Sequence, residues 1–446
     1  MGRRIRNVYT SLSLDAIPYM TTLGGQQFKD AWANLWRGLC APGLGGACTQ
    51  LAATATADIP TLIATIPNQP FFETALGGAG SAYCKNTAGA AISCTQALLS
   101  QSGVRTFVSS NGPASFWQYL YTTGTSRANG TLGSWILPRS TISAPLLKAN
   151  GTLGAGQASL INETTSLGFG NYNAAFMTFR LRDWHGLSGA TTVTWGRALG
   201  TSESSQASSS RTVLDAWNIG ALYGPQQFDY KLLVNSGMAW QPNSLFGLVD
   251  FRNKKGVLGH LLKGWTIAPF FTYQSGPPDT VSAANVSCTG CQSFGEVTPP
   301  GGDSSNGDRA VLAAPYTGGN SLHRGISPTT GAGSGAAASK TDLSQFSDPN
   351  AIRNEYRRCV LGIDTNCGGF TSFRDIPVWN MDATLAKDFK FGERISIRAS
   401  IQFTNIFNHY APGAPSTTLT TASSWGVING QATTQRQTEF GLRISF

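Results

Sequence analysis

From residue 171 to the end, apolar and polar residues alternate with a period of two. Such alternation marks strands that turn one face to an apolar medium and the other to a polar one. In Ile395–Phe403 the apolar face carries Ile395, Ile397, Ala399, Ile401 and Phe403, and the other carries Ser396, Arg398, Ser400 and Gln402. The same pattern predicts six further strands: Asn173–Asp183, Leu187–Ala198, Phe228–Gln241, Gly264–Gln274, Val378–Phe389 and a last one that sets Phe440, Leu442, Ile444 and Phe446 against Glu439, Gly441, Arg443 and Ser445. A strand rises about 3.3 Å per residue, so roughly ten residues tilted by about 45° cross the apolar band of an outer membrane. Strands of a soluble sandwich usually run to only about 5–6 residues. The links alternate in length: 184–186 short, 199–226 long, 242–263 intermediate, 275–376 very long, 390–394 short, 408–434 long. Outer-membrane barrels alternate short periplasmic turns with long external loops in this way.

Residues 1–170 lack this alternation and read as a long external loop region with small inserts. Phe28, Ala31, Trp32, Leu35, Trp36 and Leu39 recur at helical spacing and predict a short packed helix over 26–39. Phe116, Trp117, Tyr119 and Tyr121 cluster. Aromatic packing inside a large loop is the preferred reading; a stacking platform for a sugar or base is the alternative. The fold class is therefore all-β: an antiparallel transmembrane β-barrel segment of about seven or eight strands over 171–446, with long external loops and a short helix in the N-terminal region.

Composition agrees. Charged residues make up 12% of the 446, aromatics 10%, and Gly numbers 52. That charge share is about half that of a soluble domain. Yet no stretch approaches the roughly 18 consecutive apolar residues of a spanning helix. The net charge of +9 is dispersed, with its densest runs at Arg3-Arg4-Ile5-Arg6 and Arg252-Asn253-Lys254-Lys255. These read as exposed turns, and no nucleic-acid partner is expected, since no basic stripe with interleaved aromatics appears.

The eight cysteines fall into four close pairs: Cys40/Cys48, Cys84/Cys94, Cys288/Cys291 and Cys359/Cys367. Each lies in a Gly/Ser/Thr/Asn-rich stretch, which predicts local disulfides and an oxidising compartment. Cys288-Thr289-Gly290-Cys291 could instead be half a zinc site, although no second half completes four ligands. If Phe446 ends in the periplasm, all eight cysteines fall in external loops. Arg3, Arg4 and Arg6 make a basic start, but no apolar signal-peptide core follows. Disulfides require export, so the expectation is that a signal lies upstream of Met1 and that the chain is a fragment.

Several segments resemble Oar-like TonB-dependent outer-membrane transporters. Leu258–Val281 (LGHLLKGWTIAPFFTYQSGPPDTV) is similar to their "GGW…YQSG.P" strand, and Trp379–Asn408 (WNMDATLAKDFKFGERISIRASIQFTNIFN) to their "WN.D..L.K.F…ER…R…FN.FNH" hairpin. The ending Arg436–Phe446 (RQTEFGLRISF) resembles their closing strand, and residues 180–199 (RLRDWHGLSGATTVTWGRAL) another hairpin. Residues 15–28 (DAIPYMTTLGGQQF) look like an external loop of the same group. The resemblance implies a barrel of about 22 strands with a plugged lumen, driven from the inner membrane through TonB. This chain shows no TonB-contacting box and no plug, so it is expected to describe the barrel wall of a larger parent and to meet the TonB complex only through the missing part. The aromatic-ended strand with Phe440, Leu442, Ile444 and Phe446 resembles the membrane-insertion signal read by the barrel-assembly machinery.

No catalytic set emerges. His185, His260, His323 and His409 are isolated, and no G-x-S-x-G, H-E-x-x-H or G-x-x-x-x-G-K-[ST] motif occurs. The reading is a bacterial outer-membrane barrel wall that takes up a large or scarce solute, in contact with outer-membrane lipid, with no cofactor or metal and no enzymatic activity. The rivals are a secreted all-β adhesin or carbohydrate-binding domain and a small stand-alone porin.

Overall fold

The computed structural model describes residues 2–13, 19–40, 48–109, 112–122, 162–201, 217–242, 244–245, 249–250, 256–282, 310–326, 343–364, 373–391, 395–419 and 421–446. Eight long strands run through it: β1 (Gly2–Ser13), β2 (Asn162–Trp184), β3 (Leu187–Gly200), β4 (Leu232–Trp240), β5 (Trp265–Gln274), β6 (Val378–Phe391), β7 (Ile395–Thr404) and β8 (Gln437–Ser445). They pair antiparallel in chain order to make one sheet. The seven strands expected from the alternation are β2 to β8. The eighth, β1, lies in the region expected to be loop and pairs with the long first half of β2.

Register carries the alternation across the whole sheet. One row of cross-strand partners runs Met177, Val193, Val234, Tyr273, Trp379. Another runs Trp240, Ile267, Leu385, Ile401, Phe440. Because side chains alternate faces, all of these stand on one side. The apolar band is edged by indoles: Trp184, Trp240 and Trp265 at the end with the short turns, and Trp195 and Trp379 at the other. Trp265 and Tyr273 are eight residues apart on β5, or about 26 Å of strand. Met177, Phe179, Phe440 and Leu442 are each more than 60% exposed. A contiguous apolar surface of this kind does not face water.

Lys387 interrupts that face, opposite Trp265. The link between β4 and β5 explains why it is tolerated. Its helix α8 (Gly256–Leu262) ends beside the lysine, whose Nζ donates to the carbonyls of Leu261 (3.2 Å) and Lys263. A cation at the C-terminal carbonyls of a helix satisfies groups that have no partner within the helix. The ammonium also lies 5.0 Å from the Trp265 ring centroid. Lys387 is thereby buried to 5% exposure.

The long links leave the opposite end of the sheet and fold into two cores. The first is helical: α1 (Phe28–Cys40), α2 (Thr49–Ala53), α3 (Ile59–Ala64), α4 (Pro70–Ala75), α5 (Cys94–Ser100), α6 (Ser102–Ser109) and α7 (Pro113–Thr122). The helix expected over 26–39 is α1, and its Phe28, Trp32, Leu35, Trp36 and Leu39 are buried. Phe116 and Trp117 are buried against it, with Trp117 edge-on to Phe28 at 4.8 Å between ring centroids. Packing therefore accounts for these two rings, and they offer no stacking platform. Tyr119 bonds Tyr83 through their hydroxyls at 2.9 Å. Cys359, Val360 and Leu361, from the β5–β6 link, complete the same core. Gly362, at φ +78°, passes against the Lys29 carbonyl, where a Cβ would overlap it. The second core joins the β5–β6 and β7–β8 links through Val281, Phe346, Tyr356, Phe373, Leu419 and Trp425.

Disulfides join Cys40 to Cys48 and Cys84 to Cys94, as expected. Cys359 is also disulfide-bonded, while Cys288, Cys291 and Cys367 lie outside the described residues. All five described half-cystines of the helical core, Cys359 included, are buried. Cys84→Ser with Cys94→Ser should therefore destabilise this core by about 2–4 kcal/mol. Protease should then cut within 48–122, while heat-modifiable migration of the barrel on gels stays unchanged. Loss of that migration would show that the wall depends on the bond.

Candidate functional site

The face of the sheet opposite the apolar band is mostly polar, with Phe176 and Phe270 among its large apolar side chains. Thr178, Thr192, Asn235, Thr272 and Asn380 form one row across five strands. The hydroxyls of Thr178 and Thr192 lie 3.1 Å apart. Ala268, Thr384, Gln402 and Glu439 form a second row, and Asp388, Arg398 and Arg443 a third. Arg398 and Asp388 approach to 3.9 Å and are both partly exposed. Exposed groups of both signs along a sheet face suit an aqueous path better than a close-packed core.

Above this face the external links are locked to one another. The Asp229 side chain is fully buried and pairs with Arg374. Its Oδ1 accepts from the Ala198 amide at 2.6 Å. The Arg374 guanidinium also donates to the carbonyls of Asp229 (2.6 Å) and Gly276 (3.1 Å). One buried pair thus ties the end of β3, the β3–β4 link, the exit from β5 and the approach to β6. Gln345, fully buried, adds hydrogen bonds to the carbonyls of Arg374 (2.6 Å) and Gly319 (3.2 Å). Gly276 is fixed by this crowding, since a Cβ there would overlap the Asp375 carbonyl.

A family model described as "Outer membrane beta barrel domain" matches residues 127–439. The chain belongs to this outer-membrane β-barrel family. No curated protein and no solved structure matches it. Membership places the protein in the bacterial outer membrane and gives each face of the sheet its medium. The apolar band with its indole edges meets lipid. The polar rows line the interior, and the two folded cores stand at the external mouth.

The described cysteines all lie at that external end. Phe440, Leu442, Ile444 and Phe446 close the sheet on the lipid side, each more than half exposed. Of the histidines, His409 stacks on Trp379 with 3.9 Å between ring centroids. His185 sits in the β2–β3 turn with φ +50°. Among the described residues, no three of His, Cys, Asp and Glu converge as metal ligands; the Cys288/Cys291 half-site lies outside them. Sequence reading did not find Asp229, Arg374 or Gln345. Asp229 and Arg374 are 145 residues apart, and no spacing rule links them.

Proposed function

We propose that the protein forms part of the wall of a TonB-dependent outer-membrane transporter and imports a large or scarce solute. The observation that carries this reading is the external mouth. Among the described residues, the connections there fold into two packed cores, stapled by disulfides and by the Asp229–Arg374 pair. Ordered external loops that converge over a barrel are suited to holding one solute, whereas a diffusion pore needs a clear entrance. The sheet adds support. Among the described residues, β1 and β8 each pair on one side only, so the eight strands form an arc of wall. The segment resemblances over 180–199, 258–281, 379–408 and 436–446 point to the same family of transporters.

The rival within the barrel class is a passive porin. The test uses the full gene product in two assays, planar bilayers and intact cells. A transporter gives no steady conductance, and its solute uptake or solute-dependent growth stops when the proton gradient is collapsed or TonB is deleted. Steady ohmic conductance, with uptake indifferent to both treatments, would replace the proposal with the porin.

A further inference from the structure

Beyond the lipid-facing band, at the end with the long links, three arginines share one patch of the sheet. Arg4 and Arg6 on β1 are opposite Asn171 and Phe169 on β2, and Arg197 on β3 is opposite Asn173. Directly paired residues share a face, and faces alternate along a strand. The register of β1 against β2 is unbroken from Gly2 to Arg6, and that of β2 against β3 from Gly170 to Leu181. The three arginines therefore stand on the same side as Met177 and Phe179, the side that meets lipid. All three are exposed. Trp195, at the external edge of the band, is opposite Ala175. Counted outward from Ala175, Arg197, Arg4 and Arg6 are level with residues two, four and six places further along β2. At about 3.3 Å per residue and a tilt of about 45°, they rise about 5, 9 and 14 Å above the band. A phospholipid headgroup layer adds about 5–8 Å to each side of the hydrocarbon core, and a sugar headgroup reaches further.

A second observation is what these side chains lack. None of the three takes part in an ion pair formed by the described residues. Their neighbours on this face are Gly2, Phe169, Asn171, Asn173 and Leu199, with no carboxylate among them. Like charges gathered on one sheet face repel, and an anion from outside would relieve them. Level with Arg6, the Phe169 ring stacks on Tyr223 with 5.4 Å between ring centroids. Tyr223 is exposed, and its hydroxyl accepts from Asn171 Nδ2 at 3.1 Å. That bond leaves the phenol proton for another acceptor. Tyrosine is enriched at this depth, where membrane meets water.

We propose that Arg4, Arg6 and Arg197 hold the phosphates of a lipopolysaccharide molecule of the outer leaflet against the outside of the wall. The planar guanidinium matches phosphate as a bidentate fork. The lipid A headgroup is a disaccharide with phosphates close to where its sugars meet its acyl chains, the height at which Arg197 and Arg4 stand. Below them the apolar band continues through Ala175, Met177 and Val193, a surface for the acyl chains that a free phosphate would not need. The patch also spans three strands, or roughly 10 Å across, which suits a headgroup with more than one phosphate better than the single phosphate of a phospholipid. The proposal does not depend on what the barrel transports.

The test uses the delipidated full-length protein in detergent with EDTA, diphosphoryl lipid A as the probe, and native mass spectrometry to count bound lipid. The expected result is one lipid A per chain, bound in preference to phosphatidylglycerol and far more tightly than dephosphorylated lipid A. Arg4→Gln and Arg197→Gln should each weaken binding by about fivefold, and the two combined with Arg6→Gln by roughly 100-fold. Arg4→Lys should keep most of the binding. Arg3→Gln should change nothing, because Arg3 is opposite Tyr172 and stands on the inner face at the same height. All these variants should keep heat-modifiable migration, since the side chains are exposed. Four results would overturn the proposal. One is a wild-type protein that binds dephosphorylated lipid A as tightly as the diphosphoryl form. The second is a triple variant that binds like the wild type. The third is an Arg3→Gln protein weakened as much as Arg4→Gln, which would assign the effect to overall charge. The fourth is equal binding of phosphatidylglycerol, which would reduce the patch to a general contact with anionic lipid.

Discussion

Ile401→Arg should block folding of the barrel into membranes, while Gln402→Arg, one residue along, should leave it intact. Ile401 stands mid-strand on β7, between Leu385 on β6 and Phe440 on β8, in the apolar band. An arginine facing lipid near the midplane costs about 2–4 kcal/mol. Each 1.4 kcal/mol is a factor of ten, so the folded fraction should fall by about 30- to 1,000-fold in ratio. Gln402 points the other way, between Thr384 and Glu439. An arginine there meets the aqueous interior and gains an opposite charge directly across the strand pair. The measurement is heat-modifiable migration of each variant after refolding into lipid vesicles. Equal losses for the two would assign both faces to close-packed protein and remove the lipid-facing band.

The strands of this wall were legible because the membrane imposes a strict pattern. Every residue of β7 must choose between lipid and water, so its period of two is unbroken. The missed strand β1 shows the limit of that signal. Its register slips between Arg6 and Val8 and again between Val8 and Thr10, and Asn7 takes φ +58°. Each irregularity shifts the face that the next residue occupies. Arg3, Arg4 and Arg6 further deprive it of an apolar side. It forms because β2 continues for 23 residues and offers it an edge.

The helical core was legible only in α1, whose 13 residues give room for a helical period. The others span 5–10 residues, too few for periodicity to stand out. Local chemistry was still present: Pro70 near the start of α4, Pro113 at the start of α7, and the Ser93 side chain accepting from the Gln96 amide at the start of α5. Cys40–Cys48 and Cys84–Cys94 were readable because a short disulfide loop closes on neighbours in sequence. Lys387 carried a different warning, a charge in register with Trp379, Met381, Ala383 and Leu385. The face assignment holds there because α8 covers the residue, and no pattern within β6 could announce a cover supplied from another link.

Arg374→Ala should open the external mouth without dissolving the wall. The substitution leaves the Asp229 carboxylate fully buried with its hydrogen bond from the Ala198 amide but without its counter-charge. Breaking one partner out of a buried pair typically costs about 3–5 kcal/mol. Opening of the mouth should therefore become about 150 to 4,000 times more frequent. Where opening and closing are fast, protease cutting in the β3–β4 and β5–β6 links should rise in proportion. The strands below keep their own hydrogen-bond ladders and lipid contacts, so heat-modifiable migration should persist. Asp229→Asn combined with Arg374→Leu removes both charges and should recover most of the protection, because the cost comes from the orphaned carboxylate and not from the absence of an ion pair. On the proposed function, solute uptake should follow the same element. If the ordered mouth holds the solute, Arg374→Ala should weaken solute binding while the double variant restores it. Cutting rates for Arg374→Ala equal to those of the wild type would show that the apolar cores alone hold the mouth closed. Loss of heat-modifiable migration would show instead that wall and mouth fold as one unit.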